Sequence, residues 1–102
     1  MTNNKLIRIV RMTFELEKVP TFLAVFEQAK EHIRAFEGCL YLELWQDADQ
    51  PQIFMTHSHW ESADALEAYR HSELFKTTWA QTKPLFSERP QAFSAISKTV
   101  LG

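Results

Sequence analysis

Hydrophobic and polar residues alternate near the start of the chain, which is the pattern of a β-strand. In the segment KLIRIVRMTFEL, one face carries the even-numbered residues from Leu6 to Phe14. The opposite face carries Ile7, Ile9, Arg11 and Thr13. Because several of these residues are β-branched, the segment favours a strand, and this strand has apolar side chains on both faces.

The next segment has the period of an amphipathic helix. It begins near Pro20, which the first turn of a helix tolerates, and Gly38 supplies a stop signal. Apolar residues recur at steps of three and four between these points, at Phe22, Phe26, Ala29, Ile33 and Phe36. The pattern predicts a helix of about five turns.

Two strands joined by a turn are predicted after this helix. The first runs from Cys39 to Trp45, the second from Ile53 to Trp60, and the turn-forming residues DADQP separate them. In the first strand, Leu40, Leu42 and Leu44 alternate with Tyr41, Glu43 and Trp45. We expect one of these sets, such as the leucines, to lie on the sheet face away from the helices.

Two short helices and a closing strand complete the pattern. Ser62 and Ser72 can each cap a helix, with a break near His71, and Pro84 should kink or end the second helix. The segment QAFSAISKTVL, residues 91–101, alternates again and predicts the closing strand.

This order of elements is that of an α+β, ferredoxin-like split βαβ fold. We expect one domain over residues 1–102, with a four-stranded antiparallel sheet and helices on one face. Strands that are apolar on both faces need cover on both. A homodimer that packs sheet against sheet, as a dimeric α/β barrel, would supply the second cover.

Composition and charge exclude several classes of partner. The chain has 102 residues and a net charge of −2, so it lacks the positive charge that nucleic acids and anionic membranes attract. The glycine–aromatic run of RNA-binding sheets is also missing. A single cysteine, Cys39, and a start without a signal-peptide pattern favour the cytoplasm.

Two stretches resemble the antibiotic biosynthesis monooxygenase family. The segment WESADALEAYRHSELFKTTW, residues 60–79, resembles the W-x-S-x-x-x-(L/F)-x-x-(Y/H/W) motif of that family. The segment EGCLYLELWQD, residues 37–47, resembles the strand that follows its first helix. The resemblance implies a homodimeric α+β barrel that binds substrates between the helices and the sheet of each subunit.

Several activities occur in this family, because a fold does not determine a reaction. They include cofactor-independent oxygenation of phenols and hydroquinones, oxidative opening of haem, and handling of a small signalling sugar. The haem-opening branch resembles this chain but has Asn, Trp and His where Val10, Tyr69 and Trp79 stand here. Without that His there is no axial haem ligand. The quinol and signalling-sugar branch has His where Tyr69 and about Leu74 stand.

We therefore expect a small monooxygenase that uses no cofactor or metal and acts on a phenolic, hydroquinone or polyketide-type aromatic. The alternative is a non-catalytic small-molecule-binding or sensing dimer of the same fold. Oxygenation of this kind needs an apolar cavity, a group that takes the phenolic proton and donors for the developing anion.

Aromatic and histidine residues could supply these parts. Trp60 and Trp79 could wall the cavity, Tyr69 could donate a hydrogen bond to the substrate, and His71 or His57 could act as the base. The plainer interpretation is that both tryptophans are core residues and that Tyr69 fills the core with its hydroxyl at the rim.

The histidines have other interpretations too. His57 and His59 share one face of a strand, a spacing that can hold a metal, but further ligands are not evident. They could instead face the barrel interior or the cavity. His71 lies next to the start of a helix, which would keep its ring neutral, or it is a solvated turn residue.

Three further residues are candidates for substrate binding: Arg8, Val10 and Phe75. If Arg8 shares the face of Val10, it projects towards the helices, where an anionic substrate could pair with it. Otherwise it extends to solvent or pairs with Glu15 or Glu43. Cys39 is most simply a small buried apolar residue.

Overall fold

The structure, a computed structural model, describes residues 5–102 and has the predicted order of elements. These are β1 Leu6–Thr13, α1 Val19–Arg34, β2 Cys39–Gln46, β3 Ile53–Trp60, α2 Ala63–Arg70, α3 Glu73–Thr82 and β4 Gln91–Ala95. The sheet order is β2-β3-β1-β4, and each neighbouring pair is antiparallel. The predicted α+β, ferredoxin-like fold is confirmed.

The helices cover one face of the sheet, which we call the inner face, and the hydrophobic core there is divided into two clusters. The first contains Met12, Phe14, Phe22, Phe54 and Leu85. The second contains Cys39, Trp60 and Leu66, which confirms Cys39 as a buried apolar residue. Trp60 and Phe14 are each only 1% exposed, so each cluster is built around a large ring.

The helix ends follow the predicted signals. The Ser62 Oγ accepts a hydrogen bond from the Ala65 N–H at 3.1 Å, and the Ser72 Oγ accepts one from the Phe75 N–H at 3.1 Å. Helix α3 ends at Thr82 and a single 3-10 turn containing Pro84 follows. Within residues 5–102, no helix is both long and apolar enough to cross a bilayer.

Leu42 and Leu44 of β2 do not lie on the face that was suggested for the β2 leucines. Cys39 is paired with Trp60 but Tyr41 is paired with His59, so Leu40 is the extra residue of a β-bulge. Leu44 packs against the first core cluster, on the inner face. The bulge keeps both Cys39 and the later leucines on the inner side, which the strict alternation assumed from the sequence did not allow for.

The sheet face away from the helices, here called the outer face, carries the other set of β2 residues. Tyr41 is 40% exposed and Trp45 is 36% exposed, and Phe93 of β4 is 55% exposed. β4 is shorter than predicted and ends at Ala95, so residues 96–102 contain no strand. These exposed rings show that the outer face is apolar and uncovered within one chain.

Gly38 allows α2 to approach the start of β2. Helix α1 ends at Arg34, about one turn earlier than predicted, and Gly38 has a φ of +91° in the turn that follows. A Cβ at this position would lie 2.5 Å from the Ala65 Cβ. The Glu61 N–H donates to the Gly38 carbonyl at 2.8 Å, which fixes this close contact.

Replacing Gly38 by alanine should therefore destabilise the fold. We expect a loss of about 2–4 kcal/mol in the free energy of unfolding, from the left-handed backbone and the overlap with Ala65. Urea denaturation measures it. Gly102→Ala is the matched control, since Gly102 also has a positive φ but nothing lies within 4 Å.

A second substitution separates the two causes. In the Gly38→Ala background, Ala65→Gly removes the overlap and should recover part of the loss, as a double-mutant cycle would show. A Gly38→Ala variant as stable as the Gly102→Ala variant would contradict this account of the turn.

Candidate substrate cavity

A cavity of about 320 Å³ lies between the inner face of the sheet and the helices. It separates the two core clusters, because Met12 and Phe22 of the first and Trp60 and Leu66 of the second all line it. This volume lies within the range of about 300–1,000 Å³ found for small-molecule sites. The cavity is large enough for a compact aromatic molecule.

Six of the eight residues predicted from the sequence to bind or transform substrate line this cavity. They are Arg8, Val10, Trp60, Tyr69, Phe75 and Trp79. They meet because they come from the inner faces of β1 and β3 and from the sides of α2 and α3 that face the sheet. The other two, His57 and His71, lie elsewhere.

A continuous run of aromatic rings forms one wall of the cavity. Trp60 stacks on Tyr69 with ring centroids 4.9 Å apart, and Tyr69 meets the edge of Phe75 at 5.3 Å. Phe75 in turn lies parallel to Trp79 at 5.8 Å. Trp60 also donates from Nε1 to the Ser58 Oγ at 3.0 Å, so it is at once a core residue and part of the wall.

Tyr69 presents a hydroxyl in largely apolar surroundings. Its phenol has no hydrogen-bond partner among residues 5–102. Burial, and secondarily the proximity of Cys39, raise the pKa of Tyr69 above its ordinary value. The hydroxyl is therefore protonated at neutral pH and free to donate a hydrogen bond to a bound molecule.

Arg8 places a positive charge inside the cavity. It lies on the inner face with Val10, and its Nη1 donates to the Ser94 Oγ at 3.1 Å. Burial, and then the charge of Arg70, lower the pKa of Arg8, whereas Glu67 opposes them. No carboxylate within residues 5–102 approaches its guanidinium to 4.0 Å.

The ion pairs suggested for Arg8 are therefore not formed. Glu43 points to the outer face of the sheet, where the Tyr41 hydroxyl donates to it at 2.9 Å. Its carboxylate also contacts His57, with 3.4 Å between Glu43 Oε1 and His57 Nδ1. These contacts lower the pKa of Glu43, chiefly through the hydrogen bond from Tyr41.

His57 lies on the outer face, so the structure does not bring it to the cavity. Residues alternate along β3, and the inner positions are taken by Thr56, Ser58 and Trp60. The His57 ring contacts Trp45, and its Nε2 lies 3.0 Å from the Nε2 of His59. Burial, followed by the charges of Lys5 and His57, lowers the pKa of His59.

His71 also lies outside the cavity. It is the C-cap of α2, its side chain is 72% exposed, and its Nε2 lies 2.8 Å from the Glu67 Oε1. The sequence placed it beside the start of α3, which is correct, but the side chain turns back to the preceding helix. The geometry thus favours the solvated turn residue over the base.

Several polar residues that line the cavity were not identified as site residues from the sequence. Thr56 and Ser58 lie on the inner face of β3, and Thr78, Thr82 and Arg70 come from the helices. The hydroxyls of β3 could have been found, because they alternate with His57 and His59 on the same strand. Arg70 had no such signal, because it shares one side of α2 with the polar residues Asp64 and Glu67.

Among the lining residues that the structure describes, none is suited to act as a strong base. The ionisable ones are Arg8, Tyr69 and Arg70, and none of them accepts a proton readily at neutral pH. Within residues 5–102, no three His, Cys, Asp or Glu side chains are grouped so that they could hold a metal ion. The arrangement can bind a flat ring, donate hydrogen bonds and stabilise an anion.

Solved structures share this fold over almost the whole chain. A conserved protein from Methanosarcina mazei aligns with a TM-score of 0.90 and 18% identity, covering 94% of this chain and 95% of its own. A candidate antibiotic biosynthesis monooxygenase from Nitrosomonas europaea has a TM-score of 0.89 and 15% identity, with coverages of 100% and 98%.

The protein Rv0793 from Mycobacterium tuberculosis has a TM-score of 0.87 and 18% identity, with coverages of 97% and 100%. Such low identities support the fold alone. Comparison with curated proteins gives no significant match. The sequence itself is more informative, because residues 6–81 match the family described as antibiotic biosynthesis monooxygenase. This chain belongs to the antibiotic biosynthesis monooxygenase family.

Proposed function

We propose that this protein is a monooxygenase that acts, without a bound cofactor, on a phenolic or hydroquinone-type aromatic in the cavity. The observation that carries the proposal is the aromatic wall together with the Tyr69 hydroxyl, which has no partner among residues 5–102, and the cation Arg8. A flat, electron-rich ring fits against Trp60 and Trp79. Its oxygen can then contact the Tyr69 hydroxyl and the Arg8 guanidinium. Family membership supports the reaction class.

The lining residues suggest how the ring is activated. Since none of them is a strong base, the phenolic proton leaves to water, and the charge of Arg8 and the hydrogen bond from Tyr69 stabilise the phenolate. An anion in this apolar space is a better electron donor than the neutral phenol. The protein thus contributes electrostatic stabilisation of the phenolate in an apolar cavity.

The oxidation itself is between the substrate and O₂. The phenolate passes one electron to O₂, and the two radicals combine to form a C–O bond at a ring carbon that carries hydrogen. Cleavage of the O–O bond leaves one oxygen on the ring as a quinone carbonyl and releases the other as water. The substrate supplies all the electrons, so the step needs no external reductant.

The second candidate is a binding or sensing protein with the same cavity. The absence of an imidazole or carboxylate among the described lining residues favours it. Both candidates predict that aromatic molecules bind, but only the enzyme consumes oxygen. Oxygen uptake separates them directly.

We expect metal-stripped protein to accelerate oxygen uptake by dihydroxynaphthalenes above the rate with heat-denatured protein. Tyr69→Phe should lower kcat/KM by about 10-fold or more, because it removes a hydrogen bond to a charged oxygen. Tyr41→Phe is the matched control, since Tyr41, the only other tyrosine, lies on the outer face.

His71→Ala should leave the rate unchanged, because that side chain is outside the cavity. Equal effects of the two tyrosine substitutions on kcat/KM, or a large loss of activity with His71→Ala, would show that the active site is not this cavity. No rate above the denatured control for any dihydroxynaphthalene, together with binding, would favour the sensing protein.

We further propose a homodimer in which two outer faces meet. The support is the set of exposed rings on that face, Tyr41, Trp45 and Phe93. Other members of the fold are expected to use the same arrangement, as the family resemblance implies. The single domain and the cytoplasmic location stay predictions.

Light scattering at micromolar concentration should give twice the chain's mass of 11.9 kDa. Phe93→Glu should shift the protein towards the monomer, because it places a charge in the proposed interface. Leu23→Glu on α1 is the control, since Leu23 is also exposed but lies on a helix that covers the inner face. A monomeric mass for the unmodified protein would refute the dimer.

A further inference from the structure

We propose that the natural ligand of the cavity carries an anionic group, a carboxylate or a phosphate, that binds between Arg8 and Arg70. The inference rests on the proposed function, because the aromatic part of the same molecule occupies the cavity. It adds a chemical requirement that the oxygenation does not impose, since a phenol needs no second anionic group to react. The support comes from three features of the two arginines.

First, Arg8 is a partly buried cation, and no carboxylate of residues 5–102 lies within 4.0 Å of it. Its observed partner is a neutral hydroxyl, the Ser94 Oγ at 3.1 Å. Removing a charge from water is unfavourable unless an opposite charge or several hydrogen bonds replace the solvent. A guanidinium has five N–H donors, so most of its hydrogen-bonding capacity remains for a ligand.

Second, Arg70 brings another positive charge to the same cavity. It is the last residue of α2, directly after Tyr69, and lines the cavity together with Arg8. The charge of Arg70 is close enough to lower the pKa of Arg8, so the two cations repel each other. An anion between them removes this repulsion, and guanidinium groups match carboxylate and phosphate oxygens in geometry.

Third, Glu67, the carboxylate that raises the pKa of Arg8, is already engaged by other residues. Glu67 binds Arg70 through Oε2 at 3.2 Å and contacts His71 through Oε1 at 2.8 Å. Both of its oxygens are therefore used on the exposed side of α2. Glu67 neutralises part of the charge of Arg70 but forms no ion pair with Arg8. Arg8 should therefore contribute more to anion binding than Arg70.

Matched probes, titrated without O₂ so that none of them can be oxygenated, test this directly. We would titrate the protein by calorimetry with 2-naphthol, 6-hydroxy-2-naphthoate and 2-naphthyl phosphate. At least one anionic probe should bind about 10-fold more tightly than 2-naphthol at low salt, because a hydrogen-bonded ion pair adds to the ring contacts. The anionic probe that binds with the higher affinity identifies whether the group is a carboxylate or a phosphate.

Arg8→Gln should remove this preference: it should weaken the binding of the anionic probes about 10-fold and that of 2-naphthol by less, because 2-naphthol has no carboxylate or phosphate to pair with Arg8. Arg8→Lys should keep part of it, because the charge remains but the two-pronged geometry is lost. Arg70→Gln should have a smaller effect. Lys76→Gln is the control for net charge, since Lys76 is exposed on α3 and does not line the cavity.

A measurement without mutation guards against variants that fail to fold. Raising the salt to about 0.5 M should weaken the anionic probes but not 2-naphthol. Equal affinities of the unmodified protein for all three probes would overturn the inference and leave the proposed function standing. No binding of any probe would overturn both. Equal losses in Arg8→Gln and Lys76→Gln would overturn the role of Arg8.

Discussion

The structure depends on a core that is divided instead of closed. Protein interiors are normally packed as densely as organic crystals, and every unfilled volume costs stability. Here the two hydrophobic clusters stay apart because rigid rings support each other across the gap, from Trp60 through Tyr69 and Phe75 to Trp79. Those rings cannot collapse into the space without losing their stacking, so the fold keeps a cavity of about 320 Å³.

The side chains that line the cavity determine its chemistry. The chain places the Tyr69 hydroxyl and the cations Arg8 and Arg70 in a lining that is otherwise mainly aromatic or aliphatic, with four Ser and Thr hydroxyls. It keeps the carboxylate of Glu43 and the imidazoles of His57 and His59 on the opposite face of the sheet. This separation is consistent with a site that stabilises an anion and leaves proton acceptance to water.

Much of this could be predicted from the sequence because strands and helices have fixed periods. The alternation in β1 placed Arg8 and Val10 on one face, and the serine caps located α2 and α3 with Tyr69, Phe75 and Trp79 on them. Side chains whose position follows from period alone were therefore placed correctly.

The rest depended on contacts that no period encodes. A one-residue bulge at Leu40 set which residues of β2 face inward, and the His71 side chain contacts Glu67 instead of entering the cavity. Arg70 enters the cavity because of how α2 lies on the sheet. These features arise from tertiary packing. The sequence alone therefore did not determine on which face of the sheet the histidines and the β2 leucines lie.

A crystal structure of the protein with 6-hydroxy-2-naphthoate would test the central claim most directly. The account predicts electron density for the ring in the cavity, between the sheet and the aromatic wall, with the cavity otherwise shaped as described. An interior filled by Trp79 or Phe75, with the compound absent or bound on the outer face, would contradict it. In that case the aromatic run would be ordinary core packing and the site would lie elsewhere.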